Sequence, residues 1–272
     1  MTGDRFSDLM EAVADVARIA GNVALGYFRT HLDVETKGDG SPVTMADRAA
    51  EVAAREWIER RFPDDAVLGE EFGARGDEFG RRWFIDPIDG TKSFVRGVPL
   101  WGTLIAVARA DDVLAGAVYC PAVDEMVVAA VGEGCWWNGM RARVSETDAI
   151  ADATLLTTDE RFRKHPDRGS RWASLSGDAG IVRTWGDCYG YLLVATGRAD
   201  VMVDDLMSPW DAAALVPVVR EAGGEFSDWN GRVTPFGSGA VATNGRLAAT
   251  VRARLGVPWT AGNVTPPDES HA

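Results

Sequence analysis

The sequence WFIDPIDGTKSF, residues 83–94, contains the pattern from which the rest of the chain can be interpreted. Its first three residues are apolar and predict a buried strand, which we expect to stop at Pro87 because proline cannot donate a ladder hydrogen bond. Asp86 and Asp89 then flank a single turn, and Gly90-Thr91 stands where a short helix is expected to begin. The residues therefore predict a strand–turn–helix unit with two crowded carboxylates.

Carboxylates this close repel each other unless a positive charge lies between them. Mg²⁺ suits such a site because it takes carboxylate, carbonyl and water oxygens, and a helix start suits a phosphate. The same residue types are also ordinary in surface turns. Residues 83–94 alone are therefore compatible with either a surface turn or a metal site. The presence of further acids in similar settings elsewhere in the chain distinguishes the two interpretations.

Composition limits the class of protein. A chain of 272 residues with 46 % hydrophobic residues is long enough for one large α/β domain or two compact ones. Its net charge of −13 argues against nucleic acid or an anionic membrane as the main partner. The N-terminus lacks a signal-peptide pattern, and no run is suited to span a bilayer. We expect a soluble, cytoplasmic protein.

The cysteines and histidines, three of each, are widely spaced. The cysteines form neither a paired disulfide framework nor a Cys-x-x-Cys zinc pattern, which favours a reducing compartment. None of the histidines stands in a metal-ligand spacing. This argues against a His-ligated zinc site and a Ser-His-Asp triad, and favours an all-oxygen metal site.

The chain divides into two halves by pattern. Residues 1–150 predict helices at 6–28 and 45–61 followed by an antiparallel meander, and this half carries most of the candidate metal ligands. Residues 151–262 alternate strands with helices, one of them over 210–222, which predicts a layered α/β arrangement that carries Asp211 and substrate residues. Residues 263–272 are expected to form a disordered tail.

Three further acids stand in settings like those of residues 83–94. Glu70 follows a short apolar strand, and Asp211 lies in the first turn of a predicted helix. Asp47 follows Thr44 by three residues and could simply complement the N-terminus of its helix. If all five acids converge, they would hold two or three Mg²⁺ ions, which can acidify a water, orient a phosphate and neutralise a leaving oxygen.

The combination of motifs resembles the inositol monophosphatase-like metal-dependent phosphatases. The matching sequences are GEE at 69–71, WFIDPIDGT at 83–91, WDAAA at 210–214, EAGG at 221–224, PVT-x-x-D at 42–47 and Lys37. They extend over nearly the whole chain. The resemblance implies an α/β (α+β) fold, a layered α-β-α-β-α sandwich of the inositol monophosphatase and fructose-1,6-bisphosphatase type. It also implies a Mg²⁺-dependent phosphomonoesterase that forms a homodimer.

The resemblance assigns metal ligands among these residues. Glu70, Asp86 and the Ile88 carbonyl would hold the first of two to three Mg²⁺ ions per subunit. Asp86, Asp89 and Asp211 would hold the second, and Glu70 would reach a loosely held third. Mn²⁺ could replace Mg²⁺.

It also assigns the catalytic groups. Asp47 and Thr91, with Glu70, would position and deprotonate the attacking water. The N–H groups of Gly90 and Thr91 would hold the phosphate, and Lys37 would contribute to substrate binding.

The substrate depends on residues outside the metal set. Residues 90–101 resemble the histidinol-phosphate phosphatase branch, although Lys92 and Arg96 there also resemble phosphoadenosine-phosphate phosphatases. Asp187 replaces a small residue usual in the inositol enzymes, and Asp204 replaces a Glu that contacts the substrate hydroxyls. Two acids beside the phosphate would favour a cationic substrate through charge-assisted hydrogen bonds. We therefore predict histidinol phosphate, with Arg96 among the substrate-binding residues.

Other functions stay open at this point. The main alternative is an inositol-1-phosphatase or a broad sugar-phosphate phosphatase, and a 3′-phosphoadenosine 5′-phosphate phosphatase comes third. A protein that binds phosphate without turnover is disfavoured because every carboxylate of the family's metal set is present. Trp101 or Tyr189 could stack on the imidazole of histidinol phosphate, although aromatic residues more often belong to the core.

Overall fold

A computed structural model describes residues 5–31, 33–36, 38, 42–77 and 80–259. Lys37 and the predicted tail at 263–272 lie outside these residues. The helices are α1 (Phe6–Tyr27), α2 (Met45–Arg61), α3 (Thr91–Val95), α4 (Pro166–Ser176), α5 (Asp187–Ala195), α6 (Pro209–Ala213), α7 (Leu215–Glu221) and α8 (Ala248–Leu255), with 3₁₀ turns at Pro121–Val123 and Ile150–Asp152. None of these described helices is both long and apolar enough to cross a membrane.

The strands form two main sheets and one small pair. They are β1 (Glu35–Thr36), β2 (Pro42–Val43), β3 (Ala66–Gly69), β4 (Gly73–Arg75), β5 (Arg81–Asp89), β6 (Gly102–Arg109), β7 (Asp112–Cys120), β8 (Glu125–Ala130), β9 (Gly134–Trp137), β10 (Met140–Arg141), β11 (Thr154–Thr157), β12 (Ile181–Arg183), β13 (Val201–Asp204), β14 (Glu225–Ser227) and β15 (Ala240–Thr243). The larger sheet has the order β10-β9-β8-β7-β6-β5-β3-β4, and the smaller has β12-β11-β13-β15-β14.

The helices and sheets stack in five layers. Helices α1 and α2 pack on one face of the larger sheet, and α5, α6 and α7 fill the space between the sheets. Helices α4 and α8 cover the outer face of the smaller sheet. In α1 the buried residues recur at helical spacing, so one apolar face meets the sheet. The α-β-α-β-α sandwich predicted from the sequence is confirmed.

Strand β5 differs from its prediction because it does not stop at Pro87. It continues to Asp89, with Asp86 opposite Leu104 and Asp89 opposite Gly102 on β6. Three steps along β5 thus match two steps along β6, which is a β-bulge with one extra residue. Pro87 lies inside this bulge, where a missing N–H is tolerated. In a regular strand Asp86 and Asp89 would face opposite sides, and the extra residue lets both serve one site.

The helix predicted over 210–222 is also divided. Helix α6 ends at Ala213 and α7 begins at Leu215. Pro217 has no N–H to donate to the carbonyl of Ala213 four residues earlier, so a continuous helix would lose that bond. The break separates the short helix that carries Asp211 from the longer buried α7.

Candidate active site

The parallel pair β3 and β5 brings acids to one edge of the larger sheet. Glu70 follows β3 directly, and its N–H donates to the Ile85 carbonyl at 3.1 Å. Asp86 and Asp89 end β5, and helix α6 adds Asp211 in its first turn. Carboxyl ends of neighbouring parallel strands meet at one edge, which is the usual position of ligand sites in α/β sheets.

The electrostatics show that these four acids are neighbours. Burial, followed by the negative charges of Glu70, Asp89 and Asp211, raises the pKa of Asp86 well above its ordinary value. Burial and the charge of Glu70 raise the pKa of Asp211 to about 7, against the lowering effect of the Ser208 N–H. Burial and the charges of neighbouring acids likewise raise the pKa of Asp89 well above its ordinary value.

These acids offer the donor chemistry of a hard divalent cation. The carboxyl groups of Glu70 and Asp211 lie within hydrogen-bonding reach of Asp86, so several acidic groups are crowded together. Within the described ranges, no three His, Cys, Asp or Glu side chains are placed so that together they could hold a metal ion. A divalent cation would offset the repulsion between these acids and take only oxygen ligands. The oxygen chemistry of the residues, but not their present spacing, therefore fits a hard divalent cation such as Mg²⁺.

The two carboxylate oxygens of Asp47 have different surroundings: one caps a helix, and the other is buried without a hydrogen-bond partner among the described residues. Its Oδ2 accepts hydrogen bonds from the Thr44 N–H at 2.8 Å and the Thr44 hydroxyl at 2.7 Å. Its Oδ1 is buried and has no hydrogen-bond partner among the described residues. Burial raises the pKa of Asp47, and the charge of Glu70 adds to this effect. Oδ2 thus completes the capping box, and Oδ1 stays available for a water.

The turn between β5 and α3 has little room for side chains. Gly90 has φ of +84°, and a Cβ built there would lie 3.1 Å from both Asp187 Oδ2 and the Leu100 carbonyl. The Thr91 hydroxyl donates to the Ile88 carbonyl at 3.0 Å. The expected phosphate-binding turn therefore lies directly against Asp187.

Asp187 and Asp204 are held by a common residue, Thr158. The Asp187 N–H donates to the Thr158 hydroxyl at 2.8 Å, and the Thr158 N–H donates to Asp204 at 3.1 Å. Burial and the charge of Asp204 raise the pKa of Asp187 to about 7, whereas Lys92 lowers it. Asp204 is 7 % exposed, and its second oxygen accepts from the Tyr191 hydroxyl. Asp187 is the less enclosed of the two acids.

The remaining candidates lie in different settings. Lys92 and Arg96 are exposed on and just after α3. Trp101 is completely buried, with its ring 4.8 Å from that of Phe94, so it belongs to the core and does not stack on a ligand. Tyr189 is half-buried and donates its hydroxyl to Glu125.

The sequence interpretation missed two residues at the site, Thr158 and Glu51. Glu51 is completely buried and binds the segment that follows Glu70. Its place one helical turn after Asp47 was a possible signal, since residues four apart share a helix face. The exposed pair Glu56 and Arg60 on the same helix has the same four-residue spacing as Glu51 and Arg55. Spacing alone therefore does not distinguish the two pairs.

Comparisons with known proteins agree with this geometry. A sequence model of the inositol monophosphatase family matches residues 7–256. A histidinol-phosphatase of Chlorobaculum parvum is 43 % identical over 249 residues, covering 91 % of this chain and 96 % of that protein. A histidinol-phosphatase of Mycobacterium tuberculosis is 40 % identical over 253 residues, covering 91 % of this chain and 97 % of that protein.

The fold comparison gives the same assignment. The crystal structure of the extragenic suppressor protein suhB from Bartonella henselae superposes with a TM-score of 0.85 at 28 % identity, covering 91 % of this chain and 98 % of the other. The family match spans both sheets and includes all five acids of the site. The chain belongs to the inositol monophosphatase family, and its similarity to histidinol-phosphatases indicates a phosphatase.

Proposed function

We propose that this protein is a Mg²⁺-dependent phosphomonoesterase that hydrolyses L-histidinol phosphate to L-histidinol and phosphate. The observation that carries this choice is the position of Asp187, whose Oδ2 lies against Gly90 in the expected phosphate-binding turn. Relatives named histidinol-phosphatase, at 40 % and 43 % identity over most of the chain, support the same substrate. We also propose that the enzyme acts as a cytoplasmic homodimer in histidine biosynthesis.

The acids at the sheet edge would hold the metal. Glu70, Asp86 and the Ile88 carbonyl would bind one ion, Asp86, Asp89 and Asp211 a second, and Glu70 a third, with Mn²⁺ able to replace Mg²⁺. Such ions acidify a bound water and neutralise charge on the phosphate oxygens.

The chain's own groups would place the nucleophile. Asp47 Oδ1, the buried oxygen that has no hydrogen-bond partner among the described residues, would accept a proton from the attacking water, and the raised pKa of Asp47 suits a general base. The Thr91 hydroxyl donates to Ile88, so its lone pairs would orient the same water. The N–H groups of Gly90 and Thr91 would hold the phosphate. A bond forms from the water oxygen to phosphorus while one water proton passes to Asp47, and the ester bond breaks. The histidinol oxygen takes a proton from a second, solvent water, and the hydroxide left there takes the proton back from Asp47.

Asp187 would bind the ammonium group of the substrate. A charge-assisted hydrogen bond there would favour histidinol phosphate over a neutral polyol phosphate. Asp204 is enclosed and shares Thr158 with Asp187, so it would add negative potential behind the ammonium group. Arg96, which we propose as a substrate-binding residue, is exposed just after α3, and Lys37 lies outside the described residues.

The test is a substrate comparison with Mg²⁺ and with EDTA. We expect kcat/KM for histidinol phosphate to exceed those for inositol 1-phosphate and 3′-phosphoadenosine 5′-phosphate by at least about tenfold, the scale of one charge-assisted hydrogen bond. A clear preference for the inositol ester would show that the substrate is wrong. If no ester is hydrolysed with Mg²⁺ or Mn²⁺, the protein binds phosphate without turnover.

A further inference from the structure

Glu51 makes contacts that point to a role beyond packing. Its side chain is 0 % exposed, in the middle of α2 and one helical turn after Asp47. One carboxylate oxygen accepts from the Glu71 N–H at 2.7 Å. The other accepts from the Phe72 N–H at 3.2 Å and from Nε of Arg55 at 2.7 Å. A buried carboxylate therefore binds the two residues that directly follow Glu70.

Arg55 extends the same contact by one residue. Its second guanidinium nitrogen donates to the Gly73 carbonyl. On the other side of Glu70, a Cβ added to Gly69 would lie 2.1 Å from Glu51 Oε1, so the backbone rests directly on the carboxylate. The Glu70 N–H itself donates to Ile85 of β5. The backbone around Glu70 is thus fixed to α2 on one side and to the sheet on the other.

The Glu51–Arg55 ion pair carries no net charge, which suits its position beside the acidic site. The site already contains five acids, and a further unpaired carboxylate would add to their repulsion. Arg55 balances Glu51, so the pair fixes the segment without adding net charge. A carboxylate only accepts hydrogen bonds, which matches the three donors that surround it. A glutamine amide could not match them, because its NH₂ group would face another donor.

We infer that Glu51, supported by Arg55, is the positioning residue that sets the distance between Glu70 and Asp47 and thereby the affinity for the metal. Asp47 and Glu51 lie on the same face of α2, so one helix fixes both the expected base and the segment that carries Glu70. The inference rests on the proposed metal site. It assigns to Glu51 no contact with substrate or metal.

The experiment compares Glu51→Gln with Glu56→Gln. Glu56 is a matched control because it pairs with Arg60 four residues later on the exposed side of the same helix. Calorimetric titration with Mg²⁺ should show about tenfold weaker binding in Glu51→Gln, which is the smallest loss usual when a residue that supports a metal ligand is removed. Glu56→Gln should bind Mg²⁺ as the wild type does. Amide hydrogen exchange should be faster at Glu71 and Phe72 only in Glu51→Gln. Saturating Mg²⁺ should restore most of kcat in Glu51→Gln.

The outcomes separate the two proposals. If the wild-type protein does not bind Mg²⁺, the metal site itself is wrong. If the wild type binds Mg²⁺ and Glu51→Gln binds it equally well, this inference alone is wrong. If Glu51→Gln does not fold, Arg55→Lys replaces it as the test. The lysine keeps the positive charge but cannot donate to Glu51 and to the Gly73 carbonyl through two nitrogens of one guanidinium group. Arg55→Lys should weaken Mg²⁺ binding several-fold, and unchanged binding would contradict the inference.

Discussion

The backbone N–H of Cys188 donates a hydrogen bond to Oδ2 of Asp89, although the two residues are 99 positions apart. Asp89 ends β5 in the larger sheet, and Cys188 lies in the first turn of α5, between the sheets. The contact brings Asp187, the preceding residue, against Gly90. The same bond thus joins a proposed metal ligand to the proposed substrate-binding acid.

Replacing Asp86 with Asn should separate activity from stability. Burial and three neighbouring acids disfavour the Asp86 charge, so Asp86→Asn should stabilise the metal-free protein at pH 8 by about 1–2 kcal/mol. Loss of this ligand should lower kcat/KM on the order of 10³-fold, as for other groups that stabilise transition-state charge. Chemical denaturation in EDTA and phosphatase assays with Mg²⁺ measure the two effects.

Asp65 provides the control for that experiment. It is also a buried aspartate, but it accepts hydrogen bonds from Arg81 Nε at 3.2 Å and from the Trp83 indole at 2.9 Å. Asp65→Asn should therefore destabilise the protein by about 1–3 kcal/mol and leave the metal site intact. If Asp86→Asn retains full activity, the metal mechanism is wrong.

The pH dependence of stability should differ with and without metal. The pKa values of Asp187 and Asp211 are raised to about 7 in the folded protein from 3.8. A folded protein that holds protons more tightly is stabilised below the ordinary pKa and loses that stability as pH rises through about 7. Mg²⁺ would replace the protons near Asp211. Thermal unfolding from about pH 5 to 8 should therefore show a stabilisation by Mg²⁺ that increases with pH, and a constant difference would contradict this.

Asp187→Asn should change substrate preference more than catalysis. Losing a charge-assisted hydrogen bond should raise KM for histidinol phosphate about tenfold or more, and KM for glycerol 2-phosphate should barely change. Asp205→Asn is the control, because that carboxylate binds His165 and Arg168. Equal effects of Asp187→Asn on both esters would assign Asp187 a structural role.

Thr158→Val should reproduce part of that effect without removing a charge. Asp187 has φ of +51°, a strained conformation for a residue with a side chain, and its N–H donates to the Thr158 hydroxyl. Without that acceptor, KM for histidinol phosphate should rise about two- to tenfold, the value of one neutral hydrogen bond. Thr158→Ser should restore the wild-type KM. Failure of serine to do so would show that the hydroxyl does not hold Asp187.

The sequence predicted the site where the chemistry is local. Glu70 directly follows its strand, and Asp86 and Asp89 end theirs, so a strand pattern followed by acids was enough to predict acids at strand ends. The parallel pairing of β3 with β5 brings these ends to one sheet edge. The Thr44 spacing predicted the helix-cap role of Asp47, and the resemblance implied its role as a base. The structure adds an Oδ1 that has no hydrogen-bond partner among the described residues, so the two roles are compatible.

Long-range partners could not be predicted in this way. Glu51 differs from the solvated Glu56 only because residues 71–72, about twenty positions later, fold onto it. Thr158 matters through Asp187 and Asp204, which are 29 and 46 positions away. The bulge at Pro87 needed the register with β6, and no feature of residues 83–94 alone specifies that register.

That bulge also determines which changes in chain length the protein can tolerate. Deleting one residue between Asp86 and Asp89 would remove the bulge together with Pro87 or Ile88, whose carbonyl is a proposed metal ligand, and adding one would place four steps of β5 against two steps of β6. Insertions in surface loops carry no such consequence. Related proteins can therefore change substrate by substitutions in α5 and the elements around it. The number of residues between Asp86 and Asp89 has to stay the same for the proposed metal site to keep its ligands.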